Sequence, residues 1–294
     1  MKRKTFLKLF SLSPFAFSMD TLNSLSNLSD SFSATDKMPV VFIGHGSPMN
    51  AIEENQFVKG FRDVVKTIPK PNAILCVSAH WFTRGTKITI SKQPETIHDF
   101  GGFPRALYEV QYPAPGSPEL AKETQKLLTP ELAELDEKWG LDHGAWSVLR
   151  HMYPDADVPV IQLSIDYTKP ASYHFELAKR LSELRNKGVL IVGSGNIIHN
   201  LRMVDFSNFN RVDYGYDWAV EVREKVNNYL LDGNYQPLLN YDQQGTAFRY
   251  AIPTPDHYLP LIYTLGLQEK GEQISLFNDK LMAGSLSMTS VKIS

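Results

Sequence analysis

The chain has 294 residues and a nearly balanced charge, with 30 basic and 32 acidic residues and a formal net charge of -2. That balance argues against a nucleic-acid-binding protein, because binding to a phosphate backbone needs a basic face. Hydrophobic residues make up 43% of the chain, enough for one large α/β domain or two small ones. A single cysteine, Cys76, excludes a disulfide framework and a cysteine-based zinc site. Any metal ligands must therefore be histidines or carboxylates.

The first 37 residues differ in composition from the rest. A basic start precedes a short apolar stretch that cannot span a bilayer, so no stable membrane insertion is expected. The piece RKTFLK is close to the twin-arginine export pattern, but Lys4 stands where the second arginine belongs. We therefore assign 1–37 as a leader, either a degenerate export signal or a disordered segment, and 38–294 as one domain. A cytoplasmic location is favoured, with export as the alternative.

From residue 38 onward, apolar runs typical of buried strands alternate with segments of helical spacing. This alternation predicts one α/β domain with a central, mainly parallel mixed sheet and helices on both faces. In chain order the predicted elements are strand 40–44, helix 55–68, strands 73–81 and 86–91, a loop rich in Pro and Gly over 94–118, helix 118–128, strand 158–165, helix 169–188, strand 189–195, helices 216–233 and 256–267, and a final strand within 285–294.

Three histidines follow predicted strands closely. His45 comes directly after VVFIG, His80 after AILCVSA, and His199 a short turn after VLIVGSG. In open α/β sheets, ligands bind at the carboxyl ends of the strands, so these side chains are expected to share one site. A fourth, His257, lies in the proline-rich stretch PTPDHYLP, which stiffens the backbone around it. We predict that His45, His80, His199 and His257 bind a metal ion.

Each of these histidines also has a purely structural interpretation. His45 would then cap a turn between two glycines, His80 would be a core histidine bonded to backbone, and His257 would be an exposed residue at a helix N-terminus. His199 would cap a helix, or act as an acid/base rather than as a ligand.

The other four histidines are predicted to lie outside the ligand set. His143, in LDHGAW, is expected to line the pocket and to donate a hydrogen bond or move a proton. His98 lies on a glycine-rich loop that would cover the site, whereas His151 and His174 lie in helical stretches and are expected to serve packing.

Several neutral imidazoles suit Zn²⁺ or Fe²⁺ and suit Mg²⁺ or Ca²⁺ poorly. From the residues alone, the class remains open between zinc hydrolases and non-haem iron oxygenases, with a non-catalytic metal-binding or interaction protein as a third possibility. A hydrolase needs a carboxylate base near the metal, and Asp142 and Asp256 are the acidic residues adjacent to candidate histidines.

Long motifs in this order resemble the 4,5-DOPA extradiol dioxygenase family, which belongs to the class III (LigB-type) extradiol ring-cleavage dioxygenases. The resemblance covers 38–294 and is carried by GHGSPMN, SAHWFTRGT, TIHDFGGFP, YPAPGSPELA, DHGAWSVL, MYPDADVPVIQLSID, SGNIIHNLR, PTPDHYLPL and GSLSMTSVKI. It implies one divalent metal per chain, Zn²⁺ or Fe²⁺, with His45, His80 and His257 as ligands. By the same resemblance His199 is a fourth ligand or the acid/base, and His143 is a further catalytic pocket histidine.

The resemblance also implies the reaction. The partners are O2 and a small catechol such as DOPA, whose ring is opened next to the diol to give a semialdehyde, while His199 or His143 accepts a proton. The loop after residue 94 offers aromatic side chains that either wall the ring or belong to the core: Phe100, Phe103, Tyr108 and Tyr112. Candidate partners for the charged groups of DOPA are Arg105, Arg249 and Asp99, each of which is alternatively an ordinary surface residue.

Overall fold

The computed structural model describes residues 36–209, 211 and 213–294. The predicted leader therefore lies outside the described residues except for Asp36 and Lys37. Within the described ranges, no helix is long and apolar enough to cross a membrane.

Among the described residues, ten strands make up the sheets. The main sheet has eight strands in the order β4-β3-β5-β2-β6-β1-β10-β7, and β8 pairs with β9 in a separate small sheet. The strands are β1 (Val40–Gly44), β2 (Ala73–Thr83), β3 (Thr86–Thr89), β4 (Ala133–Asp136), β5 (Val160–Asp166), β6 (Val189–Gly195), β7 (Ile274–Phe277), β8 (Leu281–Met282), β9 (Leu286–Ser287) and β10 (Ser290–Ile293).

The four central strands β5, β2, β6 and β1 are mutually parallel. Antiparallel pairs join β3 to β5, β10 to β1 and β7 to β10. This arrangement confirms the predicted mainly parallel mixed sheet. The central strands are almost wholly buried, as their continuous apolar sequences require.

The helices in the described part of the chain are α1 (Gln56–Val65), α2 (Arg105–Tyr108), α3 (Pro118–Leu127), α4 (His143–Met152), α5 (Ala171–Lys179), α6 (Ser182–Arg185), α7 (Asp217–Leu231), α8 (Gln236–Leu239), α9 (Thr246–Ala251) and α10 (Leu259–Gly266). Short 3-10 turns occur at Pro48–Ala51, Leu201–Met203, Phe206–Asn208 and Tyr241–Gln243.

Helices pack against both faces of the sheet. On one face, Val41 and Ile43 of β1 join a core cluster with Phe61 of α1 and Trp146 of α4. On the other face α10 lies so close to β6 that a Cβ at Gly193 would be 2.5 Å from the carbonyl oxygen of Pro260. Successive residues of a strand point to opposite faces, so one sheet serves both layers.

The structure differs from the predicted elements in a few places. The helix predicted over 169–188 is two helices, α5 and α6, with a break at residues 180–181. The final strand is divided into β9 and β10, because the amide of Met288 donates to the carbonyl of Lys280 instead of pairing in the main sheet. Strands β4 and β7 were not predicted, since each has only four residues and is partly exposed.

The register brings the histidine-bearing strand ends together. Gly44 of β1 is paired with Gly195 of β6, and Ser78 of β2 with Ser194. The residues that follow these positions therefore start from one edge of the sheet. The glycines allow close approach there: a Cβ at Gly44 would lie 2.6 Å from the carbonyl oxygen of Met288.

A buried ion pair fixes the N-terminal end of the domain. The Arg185 guanidinium, fully buried, donates to the carbonyls of Met38 and Leu267 and to the Glu272 carboxylate. Burial raises the pKa of Glu272, but hydrogen bonds from Arg185 and from the amide of Glu269 outweigh it, so this pKa falls to about 2.

Glu272 should therefore make stability depend on pH. Its folded pKa of about 2 lies below the ordinary 4.5, so its contribution is complete above pH 4.5 and is lost as the pH falls toward 2. We expect Glu272→Gln to lower the free energy of unfolding at pH 7, and the deficit to shrink to less than about half by pH 3. Urea titrations across this range measure it, with the exposed Glu137→Gln as the control. A deficit that does not change with pH would contradict this assignment.

Candidate metal centre

A cavity of about 460 Å³ opens at the carboxyl edge of the central strands. Five histidines line it, and they are the five that were assigned to the site from the sequence: His45, His80, His143, His199 and His257. They come from the ends of β1 and β2, from the start of α4, from the turn after β6 and from the approach to α10.

Three of these histidines form one compact group. His45, His80 and His257 each offer a ring nitrogen, and these nitrogens all lie within 4.8 Å of one another. The Nε2 atoms of His45 and His80 are 3.4 Å apart. The three rings come from elements far apart in the sequence, so only the fold assembles them.

Oxygen acceptors hold the opposite nitrogen of each ring. Nδ1 of His80 lies 3.4 Å from Asp99 Oδ2, and Nδ1 of His257 lies 2.5 Å from Asp256 Oδ2. Nδ1 of His45 lies 3.0 Å from Ser194 Oγ. That serine donates its own hydrogen to the carbonyl of Gly144, so it must accept from His45.

For His45 and His257 these contacts are hydrogen bonds that place the proton on Nδ1, and for His80 the charge of the nearby Asp99 carboxylate favours the same tautomer. Because Nδ1 carries the proton in each ring, Nε2 carries a lone pair. Burial, followed by the neighbouring histidines, holds the pKa of His45 and of His80 well below the usual range, so both rings are neutral. Two lone pairs then face each other across 3.4 Å with no proton between them, which is unfavourable unless a cation lies there.

The residues present therefore fit a divalent metal ion. Neutral imidazoles whose other nitrogen donates to a carboxylate or hydroxyl are typical metal ligands. Three imidazoles suit Zn²⁺ or Fe²⁺, and they leave coordination positions for other molecules.

His199 lies beside this group rather than in it. Its ring stacks on that of His257, with centroids 3.6 Å apart and planes 9° from parallel. Among the described residues, the groups of possible ligand atoms within 4.8 Å of one another do not include His199. Burial lowers the pKa of His199 to about 3, so the ring is neutral. Of the two predicted roles, this position favours the acid/base over the fourth ligand.

His143 forms a pair with Asp99. Its backbone amide donates to Asp99 Oδ1 at 2.8 Å, and its ring Nδ1 lies 3.0 Å from Oδ2. Burial raises the pKa of Asp99, but the hydrogen bonds and charge of His143 outweigh it, so the net pKa is lowered. The carboxylate is therefore ionised and serves His80 and His143 together. His143 begins α4, whose N-cap is the buried Asp142.

The structure divides the four aromatic residues of the loop after residue 94 between the two interpretations that the sequence left open. Phe100 and Phe103 line the cavity. Tyr112 is a core residue whose hydroxyl donates to the carbonyl of Tyr153, and Tyr108 packs behind Phe100 outside the lining. His98 bonds the carbonyl of Val110 and does not line the cavity.

Arg105 and Arg249 lie outside the lining as well. The guanidinium of Arg105 is paired with Glu109, and that of Arg249 donates to Thr246. Asp99 does line the cavity, but as the partner of His143 and His80.

Sequence reasoning missed one wall of the cavity. It consists of apolar side chains, mostly from the segment after His199, where no helix or strand was predicted: Leu201, Val204, Phe206, Phe209 and Leu286. No motif marks them, although Phe206 and Phe209 in DFSNFN are conspicuous in a polar stretch.

The fold and the site together define an α/β protein with a histidine cluster that could hold a metal at the carboxyl edge of its sheet. Comparison with known proteins narrows this class. Residues 39–285 match the model of the catalytic LigB subunit of aromatic ring-opening dioxygenase. The chain therefore belongs to this LigB family, and the resemblance of its motifs is confirmed.

Individual relatives support the same family. The chain is 48% identical to a 4,5-DOPA dioxygenase extradiol of Escherichia coli (strain K12), over 90% of this chain and 97% of that protein. It is 36% identical to the protein of the same name from Beta vulgaris, over 85% and 94%. The crystal structure of the uncharacterized protein JW3007 from Escherichia coli K12 superposes with a TM-score of 0.76 at 44% identity, covering 88% of this chain and all of that one.

Metal content should distinguish the three clustered histidines from His199. We expect His45→Ala to weaken metal binding by more than the about 10- to 100-fold that loss of an outer hydrogen-bond partner costs, because a direct donor is removed. His199→Ala should keep its metal. Titration with a competing chelator measures both, with His151→Ala, which lies outside this cavity, as the control. Metal loss in His199→Ala and not in His45→Ala would reverse the assignment.

Proposed function

We propose that this chain opens the ring of catechols, inserting O2 next to the diol to give a semialdehyde, with L-DOPA as the first substrate to test. The observation that carries the proposal is the convergence of ring nitrogens of His45, His80 and His257 within 4.8 Å of one another, in a cavity that two further histidines line. Membership of the ring-opening family and the names of the relatives from Escherichia coli and Beta vulgaris support the reaction.

We propose His45, His80 and His257 as the ligands and Fe²⁺ as the working metal. When bound, Fe²⁺ supplies the redox chemistry that O2 requires, whereas Zn²⁺ cannot change its oxidation state. The protein's part is to hold the three donors. Ser194, Asp99 and Asp256 do this by fixing the ring tautomers.

His143 is proposed to accept a proton from the catechol. Asp99 faces its Nδ1, which leaves Nε2 as the acceptor and stabilises the imidazolium that forms, as a carboxylate does behind a catalytic histidine. We propose that His199, a neutral ring in the same cavity, exchanges a second proton. Phe100 and Phe103 provide apolar surface against which the aromatic ring packs while water is excluded.

The two carboxylates named for the hydrolase alternative, Asp142 and Asp256, are both engaged away from the cavity. Asp142 is buried and accepts hydrogen bonds from Ser78, Gln162 and the amide of Ala145. Asp256 is bonded to Nδ1 of His257. Neither carboxylate lines the cavity, so neither is placed to activate a water molecule there.

Metal exchange tests the reaction. Protein reconstituted with Fe²⁺ under anaerobic conditions should consume O2 with L-DOPA and form a yellow ring-opened semialdehyde. The same protein loaded with Zn²⁺ should bind the catechol without consuming O2, because no oxidation state is available. Oxygen uptake and product absorbance measure the outcome. Turnover with zinc and none with iron would overturn the metal assignment.

The two pocket histidines should affect rate more than metal binding. We expect His143→Gln and His199→Gln each to lower kcat by about 10²- to 10⁴-fold while Fe²⁺ stays bound, since each removes a proton acceptor. Steady-state kinetics with metal analysis of the same samples measure this. His98→Gln, outside the cavity lining, should keep kcat. Wild-type rates in both pocket variants would exclude them from proton transfer.

A further inference from the structure

The outer wall of the cavity is unusually apolar for a surface. Leu201 is 63% exposed and Phe206 is 78% exposed, yet both line the cavity together with Val204, Phe209 and Leu286. The rings of Phe206 and Phe209 are nearly parallel, with centroids 6.4 Å apart. Exposed apolar side chains grouped around a cavity commonly mark a binding surface, so this wall is a candidate binding surface for a ligand.

Hydrogen bonds hold the wall in a fixed shape. The Asp205 carboxylate accepts from the amide of Ser207, the side chain of Asn208 and the hydroxyl of Tyr214, so it closes the turn that carries Phe206. The amide of Asp205 in turn donates to the carbonyl of Ala283. Phe206 is thus exposed on an anchored turn, and a ligand that covers it pays little ordering cost.

Charged side chains are scarce in the same cavity. In the part of the chain that the structure describes, the lining contains no Lys or Arg, and its one carboxylate is Asp99. Asp99 Oδ1 accepts from the amide of His143, and Oδ2 lies 3.0 Å from Nδ1 of His143 and 3.4 Å from Nδ1 of His80. A substrate carboxylate would therefore meet no cationic side chain in this lining, whereas an apolar substituent would meet the wall.

We propose, on the basis of the proposed function, that this chain prefers catechols with an apolar substituent over L-DOPA, and that Leu201, Phe206 and Phe209 determine this specificity. With the diol at the histidines, the substituent lies against the apolar wall. Each methylene buried there strengthens binding about fourfold. The three wall residues do not touch the reacting atoms, so they should act mainly through KM.

A near-isosteric pair of substrates isolates the effect. In 4-isobutylcatechol two methyl groups stand where L-DOPA carries its ammonium and carboxylate, and unsubstituted catechol gives the baseline. With the Fe²⁺-loaded full chain, we expect kcat/KM for 4-isobutylcatechol to exceed that for L-DOPA by about tenfold or more, mostly through KM. Anaerobic binding titrations on the Zn²⁺-loaded protein should give the same order of Kd.

Wall variants locate the preference. Phe206→Ala should lower kcat/KM for 4-isobutylcatechol by about three- to tenfold and leave unsubstituted catechol unchanged, because only the substituent contacts that ring. Phe206 is exposed, so the variant should fold normally. Leu231→Ala is the matched control, as Leu231 is 58% exposed at the end of α7 and outside the lining.

The possible outcomes distinguish a failure of this specificity inference from a failure of the proposed function. If none of the three catechols is opened, the proposed function is wrong and the inference falls with it. If all are opened and L-DOPA is the best, or if Phe206→Ala acts equally on unsubstituted catechol, only the specificity inference is wrong. A loss confined to L-DOPA in Arg202→Ala, next to Leu201 in the chain, would likewise overturn it by revealing recognition of charge.

Discussion

The site depends on one electrostatic constraint: two neutral imidazoles turn their lone pairs toward each other. Nε2 of His45 and Nε2 of His80 are 3.4 Å apart, and oxygen acceptors hold the protons on the opposite nitrogens. A cation between them would convert this repulsion into coordination, and His257 brings a third ring nitrogen within 4.8 Å of the other two. The cavity, the pair of His143 with Asp99, and the apolar wall are all arranged around that position.

This arrangement is possible because the backbone that carries His257 comes very close to the end of β6. Gly195 at the end of β6 has no room for a Cβ, which would lie 2.1 Å from the carbonyl oxygen of His257, and the amide of Asn196 donates to that same carbonyl. His257 is thereby brought to the strand end from the approach to α10. Gly195 thus admits the segment that carries His257, and a larger side chain at this position would displace that histidine.

Much of the site was predictable, because His45 and His80 follow long apolar runs and parallel strands end at one edge. The central strands were predicted from the same apolar runs. Strands β4 and β7 were too short and too exposed to show a pattern in the sequence. Ser194 and Asp99 were not predicted as partners of His45 and His80. Contacts between residues far apart in the chain follow no regular spacing that the sequence could reveal. The wall at Phe206 was missed because an exposed turn shows no periodicity.

The most direct test of the shared cation is an anomalous difference map from a crystal of the Fe²⁺-loaded protein, collected at the iron absorption edge. One peak should lie between the Nε2 atoms of His45, His80 and His257, each at about 2.1 Å as for imidazole nitrogen on a divalent metal, with His199 not bonded to it. A peak elsewhere, or coordination through Nδ1 of these rings, would contradict the tautomers and the site built on them.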